Sequence, residues 1–141
     1  MSANPPATFH YHHEVDVRFR DIDAMGHAHH SLPLVYVEEA RAAWWRDVVS
    51  RTDLAGMDYV LAEVTVRYQR RIEFPGRLDV GLRVAHVGEK SFVMEFEIRN
   101  DAGAVVASGR TVQVMYDYAA RRSAELPEEL RARMIAFGGG E

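Results

Sequence analysis

The stretch RFRDIDAMGHAHHSLPLVYVEEAR, residues 18–41, joins a polar loop to a long apolar segment. Its first half holds two acids one residue apart, then a glycine and three histidines in four positions. From residue 32 to residue 49 apolar residues recur at helical spacing; Ser31 can cap the N-terminus, and Pro33 is tolerable in the first turn. The pattern predicts one helix of about five turns. Its main stripe is Pro33, Val37, Ala40, Trp44 and Val48.

The predicted helix is apolar on more than one side. Further apolar residues lie outside the main stripe, at Leu34, Val35, Ala42, Trp45 and Val49. A surface helix of a globular protein keeps one polar face, so this helix is expected to be surrounded by protein over most of its length. Among its charged residues, Glu38 and Arg41 are spaced to pair at i, i+3.

Strand-like alternation flanks the helix in the sequence. Before the loop, EVDVRF (residues 14–19) alternates Val15, Val17 and Phe19 with charged residues, as a half-buried strand does. Four later segments show the same period. Their apolar faces are Val60, Ala62, Val64, Val66 and Tyr68; Leu78, Val80, Leu82 and Val84; Phe92, Met94, Phe96 and Ile98; and Val112, Val114 and Tyr116. The order β-α-β-β-β-β predicts an α+β fold with a buried helix against a five-stranded antiparallel sheet.

Length and composition indicate one globular domain. The chain has 141 residues, of which 48% are hydrophobic and 27% charged, enough for one core and too few for two. We expect a flexible N-terminal segment at residues 1–13, the domain at 14–133 and a C-terminal tail at 134–141. A short surface helix, LPEELRARM at residues 126–134, is predicted near the end of the domain.

Charge and cysteine content exclude several classes of function. A net charge of -4 gives no general attraction for nucleic acid or anionic membranes. The sequence has no cysteine, which excludes disulfides, thiolate metal sites and a cysteine nucleophile. The first ten residues do not resemble a signal peptide, and no apolar run is long enough to span a membrane. A cytoplasmic location is therefore expected.

The loop at residues 21–32 fits few known site chemistries. An EF-hand loop would need an oxygen ligand at its fifth position and a glutamate at its twelfth, where this sequence has Met25 and Leu32. The histidines do not have the spacing of a helical zinc site, and no metal is expected. Serine-hydrolase, P-loop and dinucleotide fingerprints do not occur. A loop carboxylate next to a helix N-terminus remains, and this pair suits acyl transfer because free N–H groups can hold a developing oxyanion.

The residues of this loop and helix resemble a known family. VRFRDIDAMGHAHHSLPLVYVEEAR is similar to the signature of hotdog-fold acyl-CoA thioesterases of the 4-hydroxybenzoyl-CoA thioesterase type, in which D-x-D-x-x-G leads into a helix carrying E-x-A-R. The matching positions are Asp21, Asp23, Gly26, His27, His30, Tyr36, Glu39, Ala40 and Arg41. The likeness continues less specifically to LPEELR, so it covers residues 14–133.

The resemblance implies a mechanism and an assembly. The second acid of D-x-D is the catalytic carboxylate, which is Asp23 here, whereas Asp21 is expected to hold the loop by hydrogen bonds. We expect the oxyanion to bind N–H groups in the stretch from His30 to Leu32, with Ser31 between them. Asp23 acts either as the nucleophile or as the base that activates water. The hotdog arrangement implies a homodimer with sites at the interface, or a homotetramer as the larger alternative.

The resemblance also implies an acyl-CoA or acyl-carrier-protein thioester as substrate, and no cofactor. The candidate substrate-binding residues are Gly26, His27, Tyr68, Arg70, Arg71, Lys90 and Ser91. Two positions depart from the pattern, because His29 stands where asparagine is common and Pro33 where a tyrosine usually begins the helix. Two alternatives stay open: a non-hydrolytic acyl-thioester binding or accessory protein, and a hotdog-fold dehydratase or hydratase.

Overall fold

The computed structural model describes residues 8–48 and 59–137. Two helices and six strands occur in these ranges, together with a short 3-10 turn at Phe19–Asp21. In chain order the elements are β1 (Tyr11–Asp16), α1 (Leu32–Asp47), β2 (Tyr59–Tyr68), β3 (Arg77–Val87), β4 (Ser91–Arg99), β5 (Val105–Asp117), β6 (Arg122–Ser123) and α2 (Glu128–Ala136). Regular structure thus begins three residues before the predicted domain boundary and ends inside the predicted tail.

The strands form one antiparallel sheet in the order β1-β3-β4-β5-β2, and the short β6 pairs with β5. The long helix touches both edges of this sheet. It bonds to β1 through Asp47, which accepts from the Tyr11 hydroxyl at 2.6 Å, and reaches β2 through Trp45, whose ring lies 4.9 Å from that of Tyr59. The α+β prediction is confirmed, with a sixth strand of two residues added to the five expected.

The core lies between α1 and β3–β5. Four residues of the predicted stripe, Pro33, Val37, Ala40 and Trp44, are buried, and Val48 is partly buried. Trp44 and Trp45 each place a ring 6.0 Å from that of Phe92 on β4. The predicted stripe is therefore correct, while Val35, Glu38, Glu39 and Arg46 leave one side of the helix open. Val49, the predicted end of the helix, lies outside the described residues.

One residue of the first predicted strand and the whole predicted face of β5 are wrong, whereas Val15 and Val17 are buried as predicted. Phe19 is 77% exposed, because β1 ends at Asp16 and the 3-10 turn carries Phe19 away from the core. On β5 the predicted face of Val112, Val114 and Tyr116 is only half-buried, and Thr111, Gln113 and Met115 point inward instead. The pairing with β4 decides this, since Gln113 lies opposite the buried Phe92 and directly paired side chains share a face.

The environment of Arg41 also differs from the prediction. Instead of pairing with Glu38, this buried guanidinium places its Nε 3.3 Å from the Tyr59 hydroxyl, and its Cζ lies 5.8 Å from the centroid of that ring. Burial raises the pKa of Tyr59, and the nearby Arg41 charge opposes that shift. Glu39, two residues earlier, lies 3.3 Å from Nε2 of His13 on β1. The charged residues of the helix thus join it to both edge strands.

The N-terminus of α1 and the packing of α2 both differ from expectation. Ser31 occupies the N-cap of α1, but its side chain makes no capping bond. The second helix, α2, buries Leu130 and Met134, so one of its faces packs against the core and it is not wholly a surface helix. Within the described ranges, neither helix is long and apolar enough to cross a membrane.

Candidate active site

The loop before α1 folds back on itself around Asp23. The Asp23 N–H donates to the His27 carbonyl at 3.1 Å, and the Gly26 N–H donates to the Asp23 carbonyl at 3.0 Å. Gly26 has φ +88, a left-handed conformation that favours glycine. The Met25 N–H donates to Oδ1 of Asp23 at 2.8 Å, and Oδ2 has no hydrogen-bond partner in the described part of the chain. One carboxylate oxygen is therefore fixed, and the other is available to a substrate.

Asp21, two residues earlier, is buried, and one of its carboxylate oxygens accepts two hydrogen bonds. Its Oδ2 accepts the Tyr36 hydroxyl at 2.7 Å and the Arg18 N–H at 2.9 Å. Burial and the bond to the Asp21 carboxylate raise the pKa of Tyr36 well above its usual value. Asp21 thus ties the loop to the first turns of α1, which is the structural role expected for it.

The helix start offers fewer free donors than the sequence predicted. Leu32 N–H donates to the His29 carbonyl at 2.9 Å, and Ser31 N–H donates to Nδ1 of the His29 ring at 3.2 Å. His30 N–H has no acceptor among residues 8–48 and 59–137. Because the C=O and N–H of a trans peptide point in opposite directions, the His29 carbonyl faces the helix and the His30 N–H faces away from it. Of the three predicted donors, only His30 can serve an oxyanion in this arrangement.

Asp23 and His30 line one cavity of about 480 Å³. The cavity brings together six of the predicted site residues: Asp23, His27, His30, Tyr68, Arg70 and Arg71. Five others do not line it: Gly26, Ser31, Leu32, Lys90 and Ser91. Gly26 instead shapes the loop, and Ser31 and Leu32 form the helix start.

The second wall of the cavity follows β2. Tyr68 ends that strand, and its hydroxyl donates to the His30 carbonyl. Arg71 is neutralised by Glu73, whose Oε2 lies 2.9 Å from the guanidinium Nε. The guanidinium of Arg70 makes no ion pair with any described residue. Arg70 is therefore available to an anionic group at the cavity.

Lys90 lies in the turn between β3 and β4, and Ser91 is the first residue of β4; neither lines this cavity. The Ser91 carbonyl accepts the Gly88 N–H at 2.7 Å, and the Lys90 carbonyl accepts the Met115 N–H at 2.8 Å. The first bond closes the turn, and the second joins it to β5. The predicted contact of these two residues with coenzyme A stays a prediction.

The sequence did not point to several of the residues that line the cavity. They are Met25, Ala28, His29, Pro33, Gln69, Ile72 and Val106. His29 and Pro33 carried a signal, because both depart from the family pattern, but Ala28 and Ile72 did not. The Ala28 N–H donates to the Ile72 carbonyl at 2.8 Å, across a separation in the chain that no local pattern reveals.

Comparisons with known proteins show the family and the fold of the chain. Residues 17–134 match the family model described as the thioesterase-like superfamily. A thioesterase from Thermus thermophilus, solved with coenzyme A and Zn, is 34% identical; the match covers 94% of this chain and 97% of that one, with a TM-score of 0.84. No curated protein matches the chain.

Two further solved structures are similar. One, from the thioesterase superfamily of Jannaschia sp. CCS1, is 26% identical with a TM-score of 0.83, covering 95% of this chain and 87% of that one. The other, a 1,4-dihydroxy-2-naphthoyl-CoA thioesterase from Synechocystis, is 19% identical with a TM-score of 0.80. The match covers 92% of this chain and 98% of that one, and at this identity it shows the fold alone. The predicted hotdog fold is confirmed. Within the described ranges, no group of three or more histidine or acidic side chains could hold a metal ion.

Proposed function

The chain belongs to the thioesterase-like superfamily and is a thioester hydrolase, and from this premise we propose that it cleaves acyl-CoA thioesters in the cavity beside Asp23. One observation carries the proposal. Asp23, whose carboxylate has one oxygen without a partner in the described part of the chain, and His30, whose N–H has no acceptor there, both line the same cavity. A carboxylate and a free N–H are the two groups that acyl transfer needs.

The proposed chemistry places the thioester carbonyl between Asp23 and His30. The His30 N–H, at the positive end of the α1 dipole, stabilises negative charge on the carbonyl oxygen. Asp23 either attacks the carbonyl carbon, forming an anhydride that water then cleaves, or accepts a proton from water as hydroxide adds. In both routes the C–S bond breaks and the thiolate takes up a proton. The His30 ring, which also lines the cavity, can orient the substrate or carry that proton.

The lining of the cavity supports a substrate with an apolar acyl group and an anionic carrier. Met25, Pro33, Ile72 and Val106 give the cavity its apolar surface, and Arg70, which has no ion-pair partner among the described residues, offers a cation for a phosphate of coenzyme A. The same phosphopantetheine arm occurs on acyl-carrier proteins, so both carriers fit the chemistry. The resemblance of the motif to the 4-hydroxybenzoyl-CoA thioesterase type supports assignment to that branch of the superfamily.

A thiol-trapping assay tests this function. The protein is mixed with short-chain, long-chain and aromatic acyl-CoAs, and free thiol is measured with time. We expect at least one class to be hydrolysed with equal yields of thiol and free acid. If acyl-CoAs bind but no member of the panel releases thiol, the chain is an acyl-binding protein and the proposal is wrong. Hydration of an enoyl-CoA without thiol release would instead indicate the hydratase alternative.

We also propose that the active unit is a homodimer. Strand β2 pairs with β5 on one side and with no described strand on the other. Along this open edge, Leu61 is 44% exposed, and Val35 on the neighbouring helix is 48% exposed. An unpaired strand with apolar side chains is prone to pair with another chain. Tyr68, the last residue of this same strand, lines the cavity.

Light scattering is expected to find a stable dimer at micromolar concentration. A homotetramer would appear as twice that mass and would also be compatible with paired sites. A protein that remained monomeric at this concentration while hydrolysing thioesters would contradict a site built from two chains.

A further inference from the structure

The peptide between His30 and Ser31 is held on both sides by side chains. Its carbonyl accepts the hydroxyl of Tyr68, and its N–H donates to Nδ1 of His29 at 3.2 Å. We infer that His29 and Tyr68 are positioning residues, which together orient the His30 N–H toward the thioester. This inference rests on the proposed function, because it takes the His30 N–H as the oxyanion donor.

The His30 N–H lies in the peptide that joins His29 to His30, so the direction of that peptide decides where the N–H points. The bond from Leu32 N–H to the His29 carbonyl at 2.9 Å holds this peptide, and it closes a turn over His30 and Ser31. That bond keeps its geometry only while the central peptide of the turn, between His30 and Ser31, is also held, and the Ser31 side chain makes no capping bond that would hold it. His29 and Tyr68 supply that restraint, one at the N–H and one at the carbonyl oxygen of the central peptide. With both peptides held, the backbone at His30 has one conformation before the substrate arrives.

The bonding also fixes the tautomer of His29. A backbone N–H can only donate, so Nδ1 of His29 must accept, and the ring proton lies on Nε2. The Ser31 hydroxyl lies 2.9 Å from the same Nδ1, and the His30 ring lies 4.0 Å from that of His29 between centroids. Neutral His29 is therefore the form that holds the Ser31 peptide. The bond is an i to i+2 contact, which an asparagine side chain also makes in an Asx turn.

Tyr68 links this restraint to the sheet. It is the last residue of β2 and is 53% exposed, so its ring is not part of the core. Its hydroxyl crosses from the edge strand to the turn before α1, a separation of 38 residues. A tyrosine hydroxyl that only faced solvent would not bond to the His30 carbonyl. Preorganised donors stabilise an oxyanion better than donors that must reorient during the reaction. The two bonds from His29 and Tyr68 to the His30–Ser31 peptide, called the clamp below, are therefore expected to affect turnover.

Steady-state kinetics of His29→Ala and His29→Asn test the inference. Alanine removes the acceptor, and we expect kcat to fall roughly tenfold with little change in KM, a smaller loss than the roughly 10²–10³ seen when an oxyanion donor is deleted. Asparagine can accept the Ser31 N–H, so it should recover most of that loss. Tyr68→Phe keeps the ring but removes the hydroxyl, and it should lower kcat in the same manner.

Two controls make the outcome decisive. His12→Ala removes a histidine that bonds to Asp79 at 2.8 Å on the outer face of the sheet, so it should leave kcat unchanged. Melting temperatures identify any variant that loses activity by unfolding. If folded His29→Ala and His29→Asn show the same kcat, whether high or low, the positioning role of His29 is wrong. If Tyr68→Phe retains wild-type kcat, the role of Tyr68 is wrong.

The inference and the proposed function fail in distinguishable ways. Wild-type turnover by Asp23→Asn would overturn the proposed site and the clamp with it. Loss of turnover in Asp23→Asn, combined with wild-type kcat in His29→Ala and Tyr68→Phe, would leave the site intact and overturn the clamp alone.

Discussion

Replacing Trp44 with alanine is expected to lower the free energy of unfolding by about 3–5 kcal/mol, the range for truncating a large buried aromatic side chain. Trp44 is 0% exposed and packs beside Trp45 and Phe92, with ring centroids 6.0 Å away in both cases. Its indole Nε1 has no hydrogen-bond partner within the described residues. The expected loss therefore comes from the cavity and the lost packing and does not include a broken hydrogen bond.

Urea unfolding at a fixed protein concentration measures this effect, because a dimer's apparent stability depends on concentration. Arg46→Ala is the matched control on the same helix, since Arg46 is exposed and pairs only with its neighbour Asp47 among the described residues. Its midpoint should stay within error of wild type. If Trp44→Ala also unfolds at the wild-type midpoint, the buried face of α1 has been assigned to the wrong side.

The period of the apolar residues was enough to predict the buried face of α1, because Val37, Ala40 and Trp44 recur at helical spacing. The expectation that protein surrounds most of the helix was not met, since one side of it is exposed in this structure. The same reasoning failed on β5. There Thr111 and Gln113 are buried, and the valines beside them are only half-buried. Alternation shows that a strand has two faces, but on β5 the more polar face is the buried one, and the pairing with β4 decides this.

The candidate site was predictable to a similar extent. The motif pointed to Asp23 and to the helix start, and the cavity lies where those two meet. The choice of His30 among three possible donors was not predictable. It depends on the His29 rotamer, which places Nδ1 against the Ser31 N–H and removes that donor. The opposite wall comes from long-range pairing of the loop with residues 68–72, which has no local signature.

Asp23→Asn is expected to reduce turnover by at least about 10²-fold, the low end for loss of general acid–base catalysis. Asparagine has nearly the same size, and its side-chain oxygen can still accept the Met25 N–H that now donates to Oδ1. The loop should therefore keep its shape. The amide carries no negative charge and can neither attack the thioester nor accept a proton from water. Substrate affinity should change less than turnover does.

Asp21→Asn provides the matched control, with the same substitution two residues earlier. Asp21 is buried and accepts from Tyr36 and Arg18, so this variant should mainly weaken the fold. A lower melting temperature together with retained turnover in the folded fraction is expected. The two variants thus separate the catalytic role of Asp23 from the structural role of Asp21.

The most direct test of the central claim is the rate of thiol release by Asp23→Asn at saturating concentration of the best acyl-CoA, with substrate binding measured on the same preparation. We predict that the folded variant binds the thioester and releases thiol at least about 10²-fold more slowly than wild type. Near wild-type thiol release by Asp23→Asn, with loss of activity in folded Asp21→Asn or His30→Ala, would contradict the assignment of Asp23 as the catalytic carboxylate.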